Sequence, residues 1–181
     1  FQLLRSNDLL WARLQKDYLL GETTEPNDLM TWNEDATRMP FKMHSEYLRK
    51  FFLSNELARG KYEVAGKPIS LRDVHIPIFA VGTETDHVAP WKSVFKIHSL
   101  CHADVTFALT NGGHNAGVIS EVGHPRRHFR VLTNKDKDHA LSPDEWLNLA
   151  ELKDGSWWPE WKKWLVKHST KRKAPPKLGK S

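Results

Sequence analysis

Asp86 and His114 are the residues of this 181-residue sequence best placed to do chemistry. A carboxylate that accepts the Nδ1–H of an imidazole fixes the ring's tautomer and leaves Nε2 available as a base. Asp86 lies in Gly82-Thr83-Glu84-Thr85-Asp86-His87, and His114 in Asn111-Gly112-Gly113-His114-Asn115-Ala116-Gly117. Each segment follows an apolar run, Ile76 to Val81 and Val105 to Leu109, of the kind that forms a strand buried on both faces of a parallel sheet. The 28 positions separating the two residues are one crossover helix plus one strand. Both side chains therefore belong at the carboxyl edge of the sheet, where ligands and catalytic groups gather. A plainer reading of the same residues has Asp86 capping the helix that starts near Pro90 and His114 as a loop histidine. The pattern by itself does not choose between the two.

The elements that must position this pair can be read around it. Pro90 suits the first turn of a helix carrying Trp91, Val94, Phe95, His98 and Leu100. Strand, helix and strand make a βαβ unit with parallel strands. Upstream, Asn7 or Asp8 can cap a helix with Leu10, Trp11, Leu14 and Tyr18 at helical spacing, stopped by Gly21. A second helix carries Tyr47, Leu48, Phe51 and Phe52 as one buried face and ends at Gly60. Two short extended runs around Ala65-Gly66-Lys67-Pro68 predict a hairpin. Downstream, Ser142-Pro143-Asp144-Glu145 is a capping box opening a short helix through Trp146 and Leu149. Ser156 and Pro159 open another, with Trp161, Trp164, Leu165 and His168. The class is α/β, a parallel β-sheet with flanking helices. In α/β-hydrolases the triad runs nucleophile, acid, histidine along the chain, so Asp86 and His114 fit its last two places.

Composition excludes other classes. Apolar residues make up 39% and charged residues 27%, which is a globular balance. No apolar run approaches the ~20 residues that span a bilayer, and Phe1-Gln2-Leu3-Leu4-Arg5 lacks the features of a signal peptide. No transmembrane segment and a cytoplasmic location are expected, and the lone Cys101 excludes an internal disulfide. The first residue is Phe, so the sequence is expected to begin inside a longer chain. The net charge of +5 comes from the basic end, where Lys171, Arg172, Lys173, Lys177 and Lys180 stand without an acid. With a neutral body and a solvated tail, no nucleic-acid partner is expected. His98, Cys101 and His102, or His124 and His128, match no zinc spacing, so no metal is expected. Half of the eight Trp fall within Trp157 to Trp164, beside Lys162, Lys163 and Lys167. That stretch reads as a helix packed on the sheet, with an interfacial helix on a membrane or granule as the alternative.

Several of these stretches carry a resemblance. Val81-Gly82-Thr83-Glu84-Thr85-Asp86-His87-Val88-Ala89-Pro90-Trp91 resembles the acid-bearing segment of polyhydroxyalkanoate synthases, which polymerise 3-hydroxyacyl-coenzyme A into storage polyester. Gly112-Gly113-His114-Asn115-Ala116-Gly117-Val118 resembles their catalytic-histidine segment. Arg5-Ser6-Asn7-Asp8-Leu9, Trp32-Asn33-Glu34-Asp35-Ala36-Thr37 and Gly155-Ser156-Trp157-Trp158-Pro159-Glu160-Trp161 agree in order, so the similarity runs along nearly the whole chain.

The resemblance implies that Asp86 is the triad acid and His114 the base of an acyltransferase. The family's nucleophile is a cysteine on a Gly-x-Cys-x-Gly elbow upstream of anything in this sequence. Cys101 has no flanking glycines and reads as a small buried residue of the crossover helix. The chain then corresponds to the C-terminal portion of an α/β-hydrolase catalytic domain. Residues 1–35 are the end of a helical cap, 36–170 the closing part of the core and 171–181 a basic flexible tail. By analogy His87, Trp32 and Asn33 shape the substrate pocket or support the acid; the alternatives are that His87 orders its loop and that Trp32 packs near the cap boundary. The resemblance implies no cofactor. It implies a 3-hydroxyacyl-coenzyme A substrate, a growing polyester chain or granule surface, and a homo-oligomer in the cytoplasm at the granule surface. The rival is a non-catalytic synthase-like module that binds a partner synthase or granules.

Overall fold

The computed structural model describes residues 38–136 and 141–170, together with 11, 14–21, 28, 31, 173–175 and 179. In the first of two compact units, Phe1–Glu46, a π-helical turn spans Gln15–Leu19 and Gly21 follows at φ +65°. Helix α1, Phe41–Glu46, belongs to the same unit. The caps expected at Asn7 or Asp8 lie outside the described residues, as do Trp32 and Asn33.

The second unit, Tyr47–Ser181, opens with a π-helical stretch, Tyr47–Leu53. The single buried face expected here does not form: Tyr47, Leu48 and Phe52 are exposed. A π-helix bonds i to i+5 and turns more slowly than an α-helix, so the apolar stripe drifts: Tyr47 meets both Phe51 and Phe52, at 5.7 and 5.2 Å between centroids. Phe51 also meets Tyr62 at 4.8 Å, against the hairpin that follows. That hairpin, β1 (Tyr62–Val64) and β2 (Lys67–Ile69), is antiparallel as expected. Ala65 and Gly66 sit at φ +51° and +74°, the two positive values a tight primed turn demands.

The main sheet has the order β3-β4-β5-β6, from Ile78–Thr83, Val105–Thr110, His128–Asn134 and Leu152–Asp154. The βαβ reading holds for β3 and β4, which pair in parallel with Ile78 opposite Val105 and Thr83 opposite Thr110. The expectation of an all-parallel sheet does not hold. β5 runs antiparallel to β4, and β6 antiparallel to β5, so the sheet is mixed. The connection from β4 to β5 carries no described helix, and a strand returning without a crossover must run the other way.

All six residues of β4 are buried, as a strand covered on both faces should be. On one face Phe107 and Leu109 join Phe95, Trp146 and Ala150. Phe107 meets Phe95 and Trp146 edge-on at 5.2 and 5.1 Å, a geometry worth about 0.5–1.5 kcal/mol per pair beyond the area buried. Trp146 comes from α4, Pro143–Leu149, whose Ser142–Glu145 capping box forms as expected. On the other face Phe79 takes the rings of Trp157 and Trp164 at 6.1 and 5.7 Å, so helix α5, Trp158–Lys167, packs on the sheet.

The crossover between β3 and β4 departs from the single helix expected. It is two short helices, α2 (Trp91–Val94) and α3 (Ile97–Leu100). At their junction the His98 Nδ1–H donates to Phe95 O at 2.9 Å, and the backbone tightens to i→i+3 bonds at Lys96, His98 and Ser99. Gly82 does not end β3 but lies within it. A Cβ there would stand 2.9 Å from Phe107 Cζ and 3.0 Å from Trp91 Cβ, so the missing side chain lets α2 lie down on the strand. No helix among the described residues is long and apolar enough to cross a membrane.

Candidate functional site

Parallel pairing of β3 and β4 brings their carboxyl ends side by side, and the loops leaving them carry Asp86 and His114. The loops are laced together by backbone bonds: Glu84 N–H to Thr110 O at 2.9 Å and Thr85 N–H to Gly112 O at 3.2 Å. Across this seam the Nδ1–H of His114 donates to Asp86 Oδ2 at 2.9 Å.

The two carboxylate oxygens of Asp86 do different work. Oδ1 accepts the backbone N–H groups of Val88 and Ala89, each at 2.8 Å, forming a turn that orients the acid before α2 begins. Those N–H groups precede the helix, whose N-cap Pro90 receives no side-chain bond, so Asp86 does not cap it. Oδ2 faces only His114 in the described structure. Burial opposes ionisation of Asp86. The Ala89 N–H, the His114 ring and the Val88 N–H outweigh it and lower its pKa from 3.8 to about 2. The side chain of Asp86 is 8% exposed, while that of His114 is 49% exposed. The acid is tucked away and ionised, and the ring stands where a reactant can reach it. With Nδ1 committed to Asp86, Nε2 is the nitrogen available to take a proton.

Close packing fixes the loop that bears His114. Asn111 donates through Nδ2 to Arg126 O at 2.8 Å and accepts the His128 N–H on Oδ1 at 3.1 Å, tying the end of β4 to the start of β5. Gly117 lies against β3, where a Cβ would come within 2.5 Å of Thr83 Cγ2. Sequence reasoning gave no role to Asn111 or Gly117; a glycine and an amide within three residues of a candidate base were the signal present. It also missed the contact between Glu84 Oε2 and His128 Nε2 at 3.4 Å, whose histidine sits on the unpredicted strand β5. His87 is exposed beside the acid.

Cys101 is far from this site. It lies at the C-terminal end of α3, before β4 begins, while His114 follows that strand's other end, and six strand residues span roughly 20 Å. Its buried Sγ–H donates to Ile97 O at 3.1 Å, and burial raises its pKa. An inert structural thiol is the result. No three His, Cys, Asp or Glu side chains among the described residues are grouped to hold a metal ion.

No protein-family model matches the chain. Curated relatives do match, along almost all of it. Poly(3-hydroxyalkanoate) polymerase subunit PhaC of Rhizobium meliloti is 40% identical over 175 residues, covering 97% of this chain and 28% of that protein. The chain matches the C-terminal part of a poly(3-hydroxyalkanoate) polymerase. The subunit PhaC polymerase of Cupriavidus necator is 39% identical over 99% of the chain, and poly(3-hydroxyalkanoate) polymerase 2 of Ectopseudomonas oleovorans 35% identical over 97%. The chain spans 28% to 30% of the length of these polymerases. The family resemblance read from the Asp86 and His114 segments is the one these relatives carry in their names.

Proposed function

We propose that this chain supplies the acid and the base of an acyl-transfer site in a polyester-forming polymerase. The observation that carries the reading is the 2.9 Å bond from His114 Nδ1 to Asp86 Oδ2, made between loops at the carboxyl ends of adjacent parallel strands. The similarity to poly(3-hydroxyalkanoate) polymerases along nearly the whole chain gives the pair its chemistry.

In this reading a cysteine of the polymerase, outside the residues matched here, is the nucleophile. His114 Nε2 takes its proton, the thiolate adds to the thioester carbonyl of a 3-hydroxyacyl-coenzyme A, and the coenzyme leaves as its thiol with the proton returned from the ring. A 3-hydroxyl then attacks a second thioester: His114 accepts the hydroxyl proton, the ester bond forms as the C–S bond breaks, and the ring returns the proton to the thiolate displaced. Asp86 acts through His114 rather than directly on the hydroxyl. Oδ1 is occupied by two backbone N–H groups and Oδ2 by the ring, and the side chain is 8% exposed, which leaves the carboxylate poorly placed to receive a fourth donor.

The same reading gives the architecture. Residues 1–35 close a helical cap, 36–170 complete an α/β-hydrolase core and 171–181 form a basic tail. The outer side of β3 pairs with no strand among the described residues, which suits a sheet that continues into the rest of a polymerase. His87, next to the acid in sequence, belongs to the substrate pocket in this reading, and the whole enzyme is a homo-oligomer working in the cytoplasm at the polyester surface. The test is single-turnover acylation by 3-hydroxybutyryl-coenzyme A in the polymerase that carries these residues. His114→Ala should abolish coenzyme A release while the protein still melts cooperatively, and an unchanged acylation rate would refute the proposal.

A further inference from the structure

The loop bearing His114 returns to the body through Gly117, Val118 and Ser120, and three backbone carbonyls there face one tripeptide. The Trp158 Nε1–H donates to Val118 O at 3.1 Å and the Trp157 Nε1–H to Gly117 O at 3.4 Å. Ser156 Oγ donates to Ser120 O. The same hydroxyl accepts the Trp158 N–H at 3.1 Å, so its direction is specified from both sides. Ser156, Trp157 and Ser120 are buried.

The tripeptide is itself held rigidly. Gly155, at φ +94°, turns the chain from β6 into α5, and its N–H bonds Arg127 O at 2.7 Å. The Trp157 ring stacks on Phe79 of β3, the strand that leads to Asp86. One segment thus grips the His114 loop and, through Phe79, the strand that presents the acid. Three carbonyls of the loop are thus satisfied by three consecutive side chains.

We propose that Ser156, Trp157 and Trp158 are positioning residues that hold the His114 loop in register with Asp86. The inference rests on the acyl-transfer reading for its functional meaning, but its structural content can be tested separately. The first measurement is the low-field proton spectrum of the polymerase that carries these residues, in which the Nδ1–H of His114 is assigned by its loss in His114→Gln. Trp158→Phe keeps an aromatic ring and removes the donor. It should broaden or erase that resonance at a temperature where the cooperative melt is retained. Ser156→Ala, which removes a small donor with little change in volume, is the second variant should Trp158→Phe fail to fold, and the same loss is expected. Trp161→Phe, an indole on the same helix that gives no hydrogen bond to the loop among the described residues, should leave the resonance in place.

The second measurement is single-turnover acylation in the polymerase that carries these residues. Trp158→Phe should slow it by roughly 10-fold, less than the 10²-fold expected of a full 1 Å misplacement, with KM for the coenzyme A thioester unchanged. An intact His114 resonance in both Trp158→Phe and Ser156→Ala overturns the positioning inference. Loss of the resonance with undiminished acylation upholds the clamp and overturns the catalytic role of His114 instead.

Discussion

Replacing Asp86 by Asn separates what this residue does for the fold from what it does for the histidine. The carboxylate accepts Val88 and Ala89 N–H on Oδ1 at 2.8 Å each, and the His114 Nδ1–H on Oδ2 at 2.9 Å. Two backbone donors at Oδ1 select the oxygen of an asparagine amide for that place, so the turn before α2 survives. The NH₂ group then faces His114 Nδ1, where a donor meets a donor unless the ring moves its proton to Nε2. The base is thereby lost, and so is the negative charge that would stabilise the imidazolium. The equivalent tautomer switch in serine proteases costs about 10⁴ in turnover, or roughly 5 kcal/mol of barrier at 1.36 kcal/mol per decade. Acylation of the polymerase carrying Asp86→Asn should therefore fall by about that factor, while the protein still melts cooperatively at a modestly lowered temperature, the lost share being that of the carboxylate charge. Asp86→Ala is the contrast, because it also strips the acceptor from both backbone donors and should lose about 2 kcal/mol of stability. Single-turnover coenzyme A release and thermal melting on the same preparations measure both effects. A rate within 10-fold of the parent, with the fold intact, would refute the assignment of Asp86 as the group that sets the tautomer of His114.

Other outcomes follow from the same geometry. The Asp86 pKa is lowered in the folded state from 3.8 to about 2, so its ionised form adds stability that is fully present above pH 3.8 and lost as pH falls towards 2. The melting-temperature gap between parent and Asp86→Asn should be flat from neutrality to about pH 4.5 and close below that, in a pH series of melts. Gly117→Ala places a methyl 2.5 Å from Thr83 Cγ2 and should destabilise by about 1–3 kcal/mol while displacing His114, with partial rescue by Thr83→Ser, read by denaturant melts and acylation rate. Cys101→Ser should leave acylation unchanged, and native Cys101 should react with a thiol reagent far more slowly than the unfolded chain, because its thiol is buried and bonded to Ile97 O.

Local signals in the sequence were enough to place the acid and the histidine at one edge of a sheet. Ile78 to Val81 and Val105 to Leu109 are apolar without alternation, which a strand covered on both faces requires, and the interval between them has room for one crossover. The capping box at Ser142 and the hairpin at Ala65-Gly66 were legible for the same reason: their backbone demands are met within four residues. The bond between Asp86 and His114 was one of two readings that the local pattern left open. It depends on Oδ2 being left over once Val88 and Ala89 have claimed Oδ1, a division of labour that pairing in the folded loop decides. The direction of β5 and β6 was beyond the sequence, since strand orientation is set by how the chain returns across the sheet and not by the composition of the strand. Ser156-Trp157-Trp158 stood out as a motif, yet its partners are carbonyls about 40 residues away, and every residue type presents the same carbonyl. Backbone acceptors leave no trace in a sequence, so only the tertiary structure could say what those indoles hold.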